Sequence, residues 1–163
     1  MKLLCSWALA PALLLVTGSL DRDPVTTASG SFRCKLNGQP VAGTVDAASC
    51  LLMGDALSLA GKAGKASIMV TIYPATFAKL PQTRPVLTTP DTYVVVNYYP
   101  NGIVMGQDYV TARGGNVTIT SYDAATRRAS CTLTGCTAQP TKGPAVTITD
   151  AVFDNVAFNK IGR

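Results

Sequence analysis

From Ser31 onward, apolar and polar residues alternate in short runs broken by turn residues, and this period of two constrains the fold more than any other feature. Over residues 31–36, Phe32, Cys34 and Leu36 share one face and Ser31, Arg33 and Lys35 the other. Asn37-Gly38 follows, the kind of pair that supplies two positive φ angles to a tight hairpin. Residues 40–46 return as its partner, with Val41, Gly43 and Val45 on one face. Further strands are read at 57–60, 66–73, 92–99, 103–105, 109–112, 116–122, 127–134, 145–149 and 152–158. Prolines at 74, 81, 85 and 90 leave room for no more than a helical turn at 75–80. These elements predict an all-β chain, an antiparallel β-sandwich or partly closed β-barrel of about eight to ten strands.

Residues 1–18 have the grammar of a secretory signal peptide. Lys2 gives a positive start, 3–16 is almost wholly apolar, and Val16 and Gly18 place small residues before Ser19. The apolar run falls short of the roughly 20 residues of a membrane span. Leu15-Val16-Thr17-Gly18 has the form of a lipobox, but Ser19 stands where the lipid-bearing Cys belongs. Residues 19–31 are polar and read as a flexible tether, and 32–163 as one β domain. The expected address is outside the cytoplasm: periplasmic, cell-surface or secreted. No integral membrane segment is expected once the signal is cleaved.

Composition removes several kinds of chemistry. The chain has no His, and all nine acids are Asp. Ser-His-Asp and Cys-His mechanisms and His-based zinc sites are therefore excluded. The net charge of +5 is scattered, with Arg127-Arg128 the only adjacent basic pair of the β domain, so no nucleic-acid stripe forms. The sequence 61–65, Gly-Lys-Ala-Gly-Lys, is a turn and not a phosphate loop, because position 59 is Leu and position 66 is Ala.

Beyond the signal, Cys34, Cys50, Cys131 and Cys136 make an even count, which outside the cytoplasm favours two disulfides. Three pairings are open. The local one, Cys34 with Cys50 and Cys131 with Cys136, is expected, because the members of each pair lie on neighbouring segments. Buried free thiols are the other reading, since Cys34 and Cys131 sit in alternating apolar runs. No metal or cofactor is expected: Cys131 and Cys136 lack a second pair of ligands.

Two further residue sets merit weighing. Asp150, Asp154 and Asn155 carry oxygen ligands but fit no calcium loop, and turn capping explains them better. Asp108 with Asp123 would make a carboxylate pair for glycoside hydrolysis only if folding brought them together. No catalytic residue is expected. Tyr93, Tyr98 and Tyr99 crowd one strand, with Tyr98 and Tyr99 on opposite sides of it and Tyr109 and Tyr122 later. Cross-strand packing is the commoner role of such rings. An outward Tyr can also stack a sugar or fill an interface, so Tyr93, Tyr98 and Tyr99 make the candidate binding face.

Four segments in order resemble a family of small exported proteins and lipoproteins from Bacteroidetes, a domain of unknown function. Phe32-x-Cys34-x-Leu36-Asn37-Gly38 is similar to its opening, and the segments 109–123, 129–134 and 146–158 to its later motifs. Ser19 in place of the lipobox Cys, Ala151 in place of a usual Gly, and Cys34 and Cys131 in place of common Ala and Gly depart from it. The resemblance implies an exported all-β protein and carries no catalytic residues with it. The expected function is non-enzymatic: binding, or an envelope-associated role, with an envelope protein or a glycan as partner. A small apolar-ligand carrier with a barrel cavity is the alternative, and an Asp-based hydrolase the third.

Overall fold

The computed structural model describes residues 30–88, 91–104 and 108–162, so the signal at 1–18 and nearly all of the tether at 19–31 lie outside the described residues. Within them the chain is all-β. Strands β1 (Ser31–Leu36) and β2 (Gln39–Val45) form the first hairpin. Asn37 and Gly38 turn it at φ 52° and 78°, as their sequence predicts. Asn37 then ties the turn to a distant strand, its side-chain oxygen accepting the Thr147 N–H at 2.9 Å.

A short 3-10 turn, Ala47–Ser49, leads to β3 (Leu51–Met53), β4 (Ala56–Ala63) and β5 (Ala66–Tyr73). Residues 61–63 continue β4 instead of looping out, so Gly64-Lys65 alone turns the β4–β5 hairpin. The proline-rich stretch holds no helical turn at 75–80: its backbone bends and is pinned by the Ala75 N–H on the Asp55 carbonyl at 2.7 Å. It does carry two strand pieces, β6 (Gln82–Pro85) and β7 (Leu87–Thr88). Pro85 is tolerated at the end of β6, where a ladder N–H is least missed.

Next come β8 (Tyr93–Tyr99), β9 (Val110–Ala112), β10 (Asn116–Asp123), β11 (Arg128–Thr134) and β12 (Cys136–Ala138). The strand read at 103–105 does not form over its described part: Ile103 and Val104 lie in the turn after β8, and Met105 lies outside the described residues. The runs at 145–149 and 152–158 are one strand, β13 (Val146–Ala157), followed by β14 (Asn159–Ile161). β13 stays continuous by bulging. Its register slips against β1 and again against β11, and Asp150 and Asn155 take φ of 49° and 50° at those slips.

The strands form one curled, almost wholly antiparallel sheet in the order β6-β10-β11-β13-β1-β2-β4-β5-β8-β7, with only β14 and β3 pairing in parallel. Its two end strands are neighbours along the chain, separated by Val86, so the sheet curls round until its ends adjoin. A second link closes the wall elsewhere. β9 pairs with β8, β12 with β13, and Arg113 and Thr137 exchange backbone hydrogen bonds of 2.8 and 2.9 Å between them. The result is a partly closed barrel.

The inward positions form one apolar core. Leu57 and Leu59 of β4, Ile68, Val70 and Ile72 of β5, and Val94 and Val96 of β8 are at most 2 % exposed. They meet Val117, Ile119, Leu133, Ile148 and Phe153 from the opposite wall. Phe32 and Phe153 pack with ring centroids 4.6 Å apart. Gly43 and Gly61 have no side chain because Phe32 occupies that space: a Cβ on either would collide with its ring.

Candidate functional site

Strand alternation sorts the three tyrosines of β8. Tyr98 faces inward and is 9 % exposed, so it leaves the expected binding face and joins the core. Burial, with a smaller effect of Cys34, raises its phenol pKa. Tyr93 and Tyr99 face outward at opposite ends of the strand. Tyr93 stacks on Tyr73 at 5.1 Å, as their direct cross-strand pairing dictates. It lines a cleft of about 350 Å³ with Pro74, Arg84 and Leu87.

Tyr99 meets Tyr109, ring centroids 5.5 Å apart and tilted by 39°. Its hydroxyl reaches Met69 Sδ at 4.0 Å. Burial first, then Tyr109, raises its pKa, while a hydrogen bond with Asn97 works the other way. Beside the pair, Thr111 donates to Asn97 Oδ1 at 3.1 Å, which fixes β9 on β8. Tyr109 itself is 56 % exposed, unusual for a ring already held against another aromatic.

Tyr109 stands between two open clefts. One, of about 650 Å³, lies among Pro100, Asn101, Asp108, Pro140 and Lys142. The other, of about 620 Å³, lies between the outward side chains of β9 and β12 and their extensions: Tyr109, Thr111 and Arg113 on one wall, Thr137, Gln139 and Thr141 on the other. Strand alternation points these six outward and turns Ala112 and Ala138 into the core. Sequence reasoning singled out the Tyr-rich strand, Tyr109, Asp108 and a strand at 109–112, but passed over the facing wall at 137–141, because β12 is too short to show a period.

The acidic candidates separate. Asp123 is absorbed by the β10–β11 turn, accepting the Ala125 and Thr126 N–H groups at 2.8 and 3.1 Å and the Thr126 hydroxyl at 2.6 Å. Those bonds hold its carboxyl below the usual range. Asp108 lines the larger cleft, and Asp123 does not. Asp150 pairs with Lys35 at 2.8 Å, and Asp154 takes the Ser130 hydroxyl at 3.5 Å, so these residues serve the two β13 bulges. Among the described residues no group of three His, Cys, Asp or Glu is placed to hold a metal ion.

The expected disulfides are corrected: Cys34, Cys50, Cys131 and Cys136 are all buried free thiols. Each expected pair has a member aimed elsewhere. Cys50 Sγ accepts the Ala60 N–H at 3.3 Å and donates to the Ala60 carbonyl at 3.6 Å. Cys136 Sγ donates to the Gly114 carbonyl at 3.0 Å. Burial pushes Cys34, Cys50 and Cys136 up to about 11 and Cys131 up to about 12, far from a reactive thiolate.

Among the described residues, no helix is long and apolar enough to cross a membrane. Comparison with known proteins adds no relative: no family model, no curated protein and no solved structure matches the chain.

Proposed function

We propose that this chain is an exported, non-catalytic binding protein of the cell envelope, periplasm or exterior, and that it engages its partner through the surface around Tyr99 and Tyr109. The observation that carries the reading is Tyr109: an aromatic ring held in place by Tyr99, yet 56 % exposed between two clefts. A ring fixed before binding loses little entropy on contact, which is what a recognition residue needs. The interior weighs on the same side, because the inward side chains pack as one apolar core. The grammar of residues 1–18 supports export, and the four-segment resemblance to exported Bacteroidetes proteins supports an envelope setting.

The test is cosedimentation of the purified chain, lacking residues 1–18, with envelope fractions of its source cells. The wild type is expected to sediment saturably, and Tyr109→Ala to lose at least about tenfold in affinity, the scale of an aromatic hot spot. Equal sedimentation of the two proteins, or none of either, refutes the proposal.

A further inference from the structure

The cleft between β9 and β12 lies beside the single point at which the two strands join. Among the described residues the two strands share one pair, Arg113 with Thr137. Their outward side chains line a cleft of about 620 Å³, within the range of small-ligand sites. The reciprocal backbone bonds of that pair fix Arg113 and Thr137 before anything binds.

The chemistry of this cleft is selective. Arg113 is its only charged lining residue, and among the described residues no carboxylate pairs with the guanidinium. The Thr137 and Thr141 hydroxyls and the Gln139 amide supply donors and acceptors, the Thr111 hydroxyl already donating to Asn97, and Tyr109 supplies a flat aromatic surface. A free guanidinium fits a carboxylate with two parallel hydrogen bonds. Hydroxyl and amide groups suit a ring edged with hydroxyls, and the tyrosine suits the apolar face of that ring. The cleft offers no deep apolar pocket of the kind that anchors a protein partner. The chain's net charge of +5 also attracts anions.

We infer that the β9–β12 cleft binds an acidic oligosaccharide, with Arg113 pairing with a uronate carboxylate and Tyr109 stacking on a neighbouring sugar ring. This rests on the binding role proposed above and names its ligand class. The adjoining cleft carries both Lys142 and Asp108 and so adds no net charge to the site.

The test is titration calorimetry of the chain lacking residues 1–18 with hexamers of galacturonate, alginate and hyaluronan, and with the methyl ester of whichever hexamer binds. At least one acid hexamer is expected to bind. Arg113→Gln, Tyr109→Ala and the methyl ester are each expected to weaken that binding at least tenfold. The melting temperature of Arg113→Gln is expected to be unchanged because its side chain is exposed, and that of Tyr109→Ala lowered only by the loss of its contact with Tyr99. If the ester binds as tightly as the acid, or Arg113→Gln has no effect, the uronate assignment is wrong. If no hexamer binds while Tyr109-dependent sedimentation persists, the ligand class is wrong and the binding role stands; a peptide or protein partner then takes its place. Failure of both experiments removes both proposals.

Discussion

The ring of Phe32 lies where the side chain of Gly61 would be, and this contact packs β1 over β4: a Cβ at Gly61 would overlap Cγ, Cδ1 and Cδ2 of the ring. Gly61→Ala is therefore an overpacking mutation and is expected to cost about 1–3 kcal/mol. Thermal unfolding would read this as a melting temperature lower by several degrees. Adding Phe32→Leu to Gly61→Ala should recover part of the loss, since the shorter side chain vacates the space. Strict additivity of the two mutations would show that the ring does not set the glycine.

The free thiols make a second prediction. With each thiol buried and its pKa at about 11 to 12, the native protein should resist alkylation at neutral pH. Cys34, Cys50, Cys131 and Cys136 should all react once the chain is denatured without reductant. Intact mass spectrometry checks this, and a mass lower by two hydrogens per bridge, restored by reductant, would contradict it.

Arg84 holds the proline-rich stretch in place. Its guanidinium donates to the Pro74 carbonyl at 2.8 Å, the Thr76 carbonyl at 3.1 Å and Gln82 Oε1 at 3.2 Å, and lies 5.0 Å from the centre of the Phe77 ring. Arg84→Ala should cost about 1.5–3 kcal/mol, the range for hydrogen bonds to a charged group. It should also speed tryptic cleavage after Lys79, because the segment loses its tether. Unchanged cleavage would mean that the prolines alone hold the segment.

Asp123 carries a pH dependence whose sign is fixed. Its carboxylate is stabilised in the fold by the bonds to Thr126 and Ala125, so its folded pKa is lower than its unfolded one. Such a group contributes its full stability above the unfolded value, about 3.9 for Asp, and loses it as pH falls through the folded value. Wild type should therefore melt above Asp123→Ala at pH 7. The gap should narrow below about pH 4. A gap that widens on acidification would contradict this account.

What the sequence made legible follows physical range. Alternation is a local signal, so β1, β2, β8, β10 and β11 could be read with their faces, as could the Asn37-Gly38 turn. β9 was read at 109–112, but β3, β12 and β14, each three residues long, show no period, and tertiary pairing alone makes them strands. β13 read as two strands because Asp150 interrupts its alternation, and only its pairing with β1 shows the interruption to be a bulge. The cysteines misled because spacing reports neighbourhood along the chain and not where sulfur points. Of the candidate face, the tyrosine strand was legible, but the clefts at Tyr109 depend on Arg113 meeting Thr137, a contact no local pattern encodes.

The most direct test of the binding role is a footprint. Amide hydrogen exchange of the chain lacking residues 1–18 would be measured free and bound to the envelope fraction. The account predicts protection confined to 108–113 and 137–142, the segments that line the two clefts with Tyr109. Protection elsewhere on the barrel, with these segments exchanging as in the free protein, would contradict it.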